Sequence, residues 1–106
     1  MWRQFENGET IGRPGFCGGV IVRDECHAPN IRVILERDCD DDPWFVLCQI
    51  EGIWAYVRPV ESEEEAKFNA VLEALTTISK LVPCDEDDAK MGRLQRELDQ
   101  FEERFA

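Results

Sequence analysis

The strongest constraint on the fold is a pair of apolar runs, "PWFVLCQI" (residues 43–50) and "IWAYVRP" (residues 53–59), separated only by Glu51 and Gly52. Both runs are rich in aromatic and β-branched residues, which favour strands. A link of two residues allows only a tight β-hairpin, and a loop of that length fixes the register. The spacing therefore predicts a hairpin in which Ile50 lies opposite Ile53.

This register sorts the side chains of the hairpin onto two faces, because successive side chains of a strand point to opposite sides of the sheet. One predicted face carries Trp44, Val46, Cys48, Ala55 and Val57. The opposite predicted face carries Phe45, Leu47, Gln49, Trp54, Tyr56 and Arg58.

Two further strands precede the hairpin. The run "VIVRDE" follows Gly18-Gly19, and "NIRVILERD" alternates between apolar and polar side chains with Ile34 as an exception. Pro29 and Asn30 mark the loop between these strands. The sequence thus predicts a four-stranded antiparallel meander over residues 18–59, after an irregular glycine-rich arm over residues 1–17. Possible anchors of the arm are Trp2, Phe5 and Phe16.

Two helices are predicted over residues 62–105. Ser62 and Glu65 have the spacing of a capping box, and Pro83 would stop the first helix. Asp85 is the predicted N-cap of the second. Apolar residues recur at helical spacing in both, at Phe68, Val71, Leu72, Leu75, Ile78 and Val82, then at Met91, Leu94, Leu98, Phe101 and Phe105.

The predicted fold is therefore a single α+β domain, with the two C-terminal helices packed on the meander. The first helix must cover one face of the sheet, because apolar burial is the main source of stability available. The face expected beneath it consists of Val20, Val22, Ile31, Val33, Leu35, Val46, Cys48, Ile50, Ala55 and Val57.

Charge and cysteine content limit the partners and the compartment. The 106-residue chain carries a net charge of −11, which repels nucleic acid and anionic membranes and attracts basic partners. No apolar run approaches the roughly 20 residues of a membrane span, and no signal peptide is visible. Five cysteines, an odd number, favour reduced thiols and a cytoplasmic location.

The aspartate-rich stretch "DCDDDP" resembles a calcium loop only superficially. Asp38, Asp40 and Asp42 would supply oxygens, but Pro43 stands where a calcium loop needs glycine and Gln49 where it needs glutamate. The stretch is interpreted as a turn.

No cysteine pair has the spacing of a zinc site, and the candidate ligands are Cys17, Cys26, His27, Cys39, Cys48 and Cys84. We expect no metal and no cofactor.

No catalytic constellation is evident either. Cys84 precedes the second predicted helix, but the acidic residues after it would oppose a thiolate. His27 is the single histidine and is adjacent to Cys26 in the sequence, a poor arrangement for nucleophilic catalysis. Phosphate-binding and nucleophile-elbow motifs are missing. The sequence favours a protein that is not an enzyme.

The predicted outer face of the sheet is too apolar to remain exposed to water. It would carry Ile34, Phe45, Leu47, Trp54 and Tyr56, edged by Arg23, Arg32, Glu36, Gln49 and Arg58. The N-terminal arm or the second helix could cover it, or it could form a homodimer, or it could bind another protein. The residues expected to bind a partner are Trp54, Tyr56, Arg58, Phe45, Leu47 and Arg32.

Three functions are compatible with this profile. The first is a non-catalytic, acidic protein-binding domain, such as an immunity-type inhibitor of a basic toxin or nuclease. The second is a homodimeric structural or oligomerisation module. The third is a small ligand-binding protein, which would need a deep pocket between helices and sheet lined by Cys48 or Trp44.

Overall fold

The computed structural model describes residues 1–28, 30–39, 43–82 and 88–105. Over these residues the chain forms an antiparallel sheet of five strands in chain order, followed by two helices. The elements are β1 (Arg3–Gln4), β2 (Val20–His27), β3 (Ile31–Arg37), β4 (Trp44–Ile50), β5 (Trp54–Val60), α1 (Glu64–Ile78) and α2 (Asp88–Arg104). The α+β architecture with two C-terminal helices is confirmed. The predictions for Asp40, Asp42, Pro83, Cys84 and Asp85 lie outside the described residues.

The sheet has one strand more than the four predicted. The additional strand is β1, in which Arg3 pairs with Cys26 and Gln4 with Glu25 of β2. A strand of two residues has no alternation that could be recognised in the sequence, so this part of the arm was expected to be irregular. Of the two α-helices in the described ranges, neither is long and apolar enough to cross a membrane.

The predicted register of the last hairpin is wrong. Ile50 pairs with Trp54, so that the loop contains three residues, and the Ile53 amide donates to the Ile50 carbonyl at 2.9 Å. Gly52 has a φ of +78°, the left-handed conformation that hairpin loops of three residues accommodate with glycine. Ile53 thus belongs to the turn, and every side chain of β5 lies on the face opposite to the one predicted.

The consequence is that Trp54, Tyr56 and Arg58 face the helices, not the outer side of the sheet. Ala55 and Val57 were expected beneath the first helix and instead face outward, with Val57 42% exposed. Burial of the large aromatic rings against α2 stabilises this register, because they offer far more apolar area than alanine and valine.

The core lies between this face of the sheet and the two helices. The prediction for β3 and β4 is confirmed, since Ile31, Val33, Leu35, Val46, Cys48 and Ile50 are all buried in it. In β2, Val22 is half-buried against the core, whereas Val20 is half-buried and does not belong to it. The helices contribute Phe68, Val71, Leu75, Ile78, Leu94, Leu98 and Phe101. Of the expected seam of α2, Met91 is exposed and Phe105 is half-buried.

The capping box predicted for the first helix does not form. The helix begins at Glu64, and its N-cap residue Glu63 has a φ of 54° and makes no capping hydrogen bond through its side chain. The Glu65 carboxylate instead accepts a hydrogen bond of 2.7 Å from Arg23. Arg23 also lies over the Phe68 ring at 4.5 Å, so it faces the helices and does not edge the outer face. A register shift between Ile21 and Arg23 interrupts the alternation of β2.

The N-terminal arm covers the outer face of β2 and β3, as one of the three explanations anticipated. Glu36 is only 1% exposed there, and its carboxylate accepts hydrogen bonds from the Phe16 and Cys17 amides at 2.8 and 2.9 Å. A Cβ atom added to Gly15 would lie 2.2 Å from the carboxyl carbon of Glu36. The arm therefore needs glycine at this position to bring its backbone onto the carboxylate.

A second buried carboxylate on the same outer face also holds the arm. Asp24, which is fully buried, accepts hydrogen bonds from Arg32 Nε at 2.9 Å and Nη2 at 2.7 Å. Thr10 of the arm donates to the same carboxylate at 2.7 Å, and the Phe5 ring lies 3.6 Å from the Arg32 guanidinium carbon. Arg32 is thus occupied within the chain.

The contact between Gly15 and Glu36 predicts opposite effects for two glycine substitutions. Gly15→Ala should lower the free energy of unfolding by about 1.5–3 kcal/mol, because the methyl group displaces a carboxylate from its hydrogen bonds. Gly92→Ala should raise it by about 1 kcal/mol, since Gly92 lies inside α2 and an added Cβ there has no neighbour within 4 Å. Urea denaturation measures both values. A neutral Gly15→Ala variant would contradict the described path of the arm.

The register of β5 also predicts a contrast. Phe101→Ala should cost about 3–5 kcal/mol, because Phe101 is 4% exposed and packs against Trp54 and Tyr56. Val57→Thr should change stability by no more than about 0.5 kcal/mol, because Val57 is on the outer face. Thermal unfolding followed by circular dichroism compares the two variants. A severe effect of Val57→Thr, together with a mild effect of Phe101→Ala, would favour the opposite register.

Candidate functional site

An open groove of about 320 Å³ lies between β4, β5, α1 and α2, and we call it the helix–sheet groove. Its walls are largely apolar and consist of side chains from both layers of the fold: Val46, Cys48, Val71, Phe101 and Phe105. Tyr56 and Arg58 of β5 also line it, because the observed register turns them toward the helices. The groove is therefore a product of the three-residue turn.

Aromatic contacts fix one wall of the groove. The Tyr56 hydroxyl donates a 3.1 Å hydrogen bond to the Glu102 carbonyl on α2. The Tyr56 ring stacks on Trp54 with centroids 5.9 Å apart and meets Phe101 edge-on at 6.0 Å. Phe101 and Phe105 are 4.7 Å apart. These contacts join β5 to the last two turns of α2 and give the wall a defined shape before any ligand arrives.

Three cationic side chains also line this apolar groove, namely Arg58, Lys67 and Arg104. No carboxylate of the described residues lies within ion-pair distance of any of them, whereas Arg23, Arg32 and Arg37 do form ion pairs. No described acidic residue lines the groove. In a chain with 12 basic and 23 acidic residues, this is a local reversal of the overall charge.

Arg58 is the cation with the most constrained surroundings. It is half-buried, and its Nε atom is buried without a hydrogen-bond partner. A buried donor of this kind costs about 1–3 kcal/mol when it is left unsatisfied. Arg104 is held differently, with its guanidinium carbon 4.9 Å from the centroid of the Phe105 ring. Stacking on an aromatic face leaves the N–H groups at the edge of the guanidinium available to a ligand.

The thiol in the groove is not an activated nucleophile. Cys48 is 2% exposed, and burial raises the pKa of its thiol to about 12, so it is neutral at physiological pH. Burial, followed by the charge of Glu36 and by Cys39, raises the pKa of Cys17 to about 11. Cys17, Cys26 and Cys48 are free thiols. Among the described residues, no group of three histidine, cysteine or acidic side chains could hold a metal ion.

The six residues predicted to bind a partner do not form one surface. Phe45 and Leu47 remain on the outer face, whereas Trp54, Tyr56 and Arg58 face the helices. Arg32 is paired with Asp24 beneath the arm. The ligand-binding hypothesis required a deep pocket between helices and sheet lined by Cys48 or Trp44, and the structure has an open groove there that Cys48 lines. Trp44 is not among the described residues that line it.

Lys67, Val71, Arg104 and Phe105 were missed as possible site residues. Lys67 and Val71 lie on α1, whereas Arg104 ends α2 and Phe105 follows it, and only the packing of both helices on the sheet brings them together. One signal was available, since Phe105 was already at an apolar position of the α2 seam and Arg104 is its neighbour.

Two other surfaces serve for comparison. Phe45, Leu47, Val57 and Phe16 lie on the outer side of the sheet, with Phe16 65% exposed, and we call them the outer strip. A second cavity of about 440 Å³ lies near β1 and has a more polar lining, including His27, Gln49 and Glu51. His27 already contacts the terminal amine of Met1 at 3.2 Å.

Comparison of the chain with family models, with curated proteins and with solved structures gives no match.

Proposed function

We propose that the protein is a non-catalytic binding protein that holds a small, largely apolar molecule in the helix–sheet groove. The observation that carries this proposal is the groove itself, an open space of about 320 Å³ beside the core with mostly apolar walls. Protein interiors are close-packed, and ligand sites are typically apolar clefts of about 300–1,000 Å³. The groove is at the lower end of this range and suits a small molecule better than a folded segment of a partner.

The rigidity of the wall supports binding. The Tyr56–Glu102 hydrogen bond and the rings of Trp54 and Phe101 fix the shape of the groove in the free protein. A preformed site loses little conformational freedom when it is occupied, so more of the contact energy contributes to affinity.

The chemistry of the lining supports binding without reaction. The Cys48 thiol stays protonated because of its raised pKa, and the Tyr56 hydroxyl already donates a hydrogen bond to the Glu102 carbonyl. Neither group is arranged as a nucleophile beside a base, which covalent catalysis requires.

The test is a titration of the ¹⁵N-labelled protein with 1-octanol, a small neutral apolar probe. We expect saturable shifts of the amides around Val46, Cys48, Val71 and Phe101, because these residues line the groove. The amides of His27 and Gln49 in the second cavity should not shift. Shifts confined to the second cavity or to the outer strip, or no saturable shifts at all, would refute the proposal.

A matched pair of variants controls this titration. Phe105→Ala removes part of the groove wall and should weaken octanol binding at least threefold, since about 1 kcal/mol of apolar contact is lost. Phe16→Ala removes an exposed phenylalanine outside the groove and should leave the affinity unchanged. Equal effects of the two substitutions would indicate that octanol binds elsewhere.

A second candidate function is an acidic domain that binds a basic protein, such as an immunity-type inhibitor of a toxin or nuclease. Two observations favour it: the net charge of −11, and the outer strip, where Val57 and Phe16 are exposed. Carboxylates would attract the partner and the strip would supply apolar contact. In this case a basic protein, and not a second copy of the chain, occupies the strip.

If this candidate is right, light scattering should give a mass of 12.3 kDa, that of one chain, because a dimer would bury the outer strip between its two copies.

A gene for a basic toxin immediately upstream would identify the partner. With that partner, raising the salt concentration should slow association far more than it speeds dissociation. Equal effects on both rates would count against electrostatic steering, and a dimer disrupted by Val57→Lys would assign the strip to self-association.

A further inference from the structure

We propose that the ligand of the helix–sheet groove is an amphipathic carboxylate, with an apolar chain in the groove and its anionic group held by Arg58, Lys67 and Arg104. This inference rests on the proposed function and adds the chemical class of the ligand. It commits the groove to a small organic anion and not to a neutral lipid or a peptide helix.

The charge of the groove lining is opposite to the net charge of the chain. The chain has 12 basic side chains against 23 acidic ones, yet three basic side chains and no described acidic side chain line this groove. Within the described ranges, Arg58, Lys67 and Arg104 have no ion-pair partner. Arg3, Arg13 and Arg96 share this property, so the distinguishing feature is that three cations without a carboxylate partner converge on one apolar groove. The groove is therefore locally complementary to an anion although the molecule as a whole repels one.

Arg58 supplies a guanidinium to the groove without a carboxylate of its own. It lines the groove, is half-buried and forms no ion pair with the described residues. Its Nε atom is enclosed by the protein, so a ligand would meet the terminal N–H groups of the guanidinium, which can bind both oxygens of a carboxylate at once.

The apolar side chains of the groove lining are buried, whereas two of its three cations are exposed. Cys48, Val46 and Val71 are buried side chains that line the groove, whereas Lys67 and Arg104 are exposed. Arg104 is stacked on Phe105, a residue that itself lines the groove. An anionic group among the cations, with an alkyl chain against the buried residues, satisfies both parts of the lining. A neutral apolar molecule would satisfy only the second.

The experiment compares octanoate with 1-octanol, which have the same chain length and differ in the head group. In titrations of the full chain followed by ¹⁵N shifts, octanoate should bind at least tenfold more tightly, because it makes charge-assisted hydrogen bonds that the alcohol cannot make. If the two bind equally well, the groove is an apolar site and the carboxylate inference is wrong, while the proposed function stands. If neither binds, the proposed function fails and this inference fails with it.

A charge-matched pair of variants locates the anion. Arg58→Met and Arg96→Met each remove one positive charge, and Arg96 is an exposed residue of α2 that does not line the groove. Arg58→Met should weaken octanoate binding about tenfold, and Arg96→Met less than twofold. Equal weakening by both variants would show that only the net charge matters and would overturn the inference. If Arg58→Met lowers the unfolding temperature markedly, Arg104→Met provides the same comparison.

Discussion

The pairing of Ile50 with Trp54 is the constraint on which the rest of the structure depends. A shift of one residue in an antiparallel pair moves every side chain of a strand to the other face of the sheet. The observed pairing places Tyr56 and Arg58 against the helices and leaves Val57 outside. It thereby supplies the aromatic contacts that dock α2, one wall of the helix–sheet groove and one of its cations. With the opposite register, none of these features would exist.

The two sides of the sheet are covered by different physical means. The helix side is an apolar core, whereas the outer side of β2 and β3 is closed by buried carboxylates that bind the arm, Asp24 and Glu36. Burial of a carboxylate is tolerated only when its oxygens are satisfied: Asp24 accepts from the Arg32 guanidinium and the Thr10 hydroxyl, and Glu36 accepts from backbone amides of the arm. Because hydrogen bonds are directional, these contacts fix one path of the arm's backbone. Apolar contacts alone would allow several paths. The outer side of β4 and β5 has no such cover among the described residues.

The sequence was informative where one element determines its own pattern. The alternation of β3 and β4 predicted the residues that these strands bury beneath the helices, and the spacing in α2 predicted Leu94, Leu98 and Phe101. Ile34 and Glu36 of β3 are buried as well, on the outer face. The sequence was not sufficient where contacts between distant elements decide the structure. The turn could include or exclude Ile53, and the burial of Trp54 and Tyr56 against a distant helix decided between the two registers. Of the groove, Cys48 was anticipated, but the convergence of Arg58, Lys67 and Arg104 results from tertiary packing and leaves no local pattern.

The position of Pro59 has a consequence for how the sheet ends. Among the described residues β5 is the last strand of the sheet and lies beside the groove, and an edge strand of this kind can template a further strand from another chain. Proline has no N–H to offer to such a strand, and its ring hinders close approach. Regular extension of the sheet is thereby interrupted at the end of β5 that lies beside Arg58. Recognition at this corner of the molecule must depend on side chains, and intermolecular β-pairing that leads to aggregation is disfavoured there.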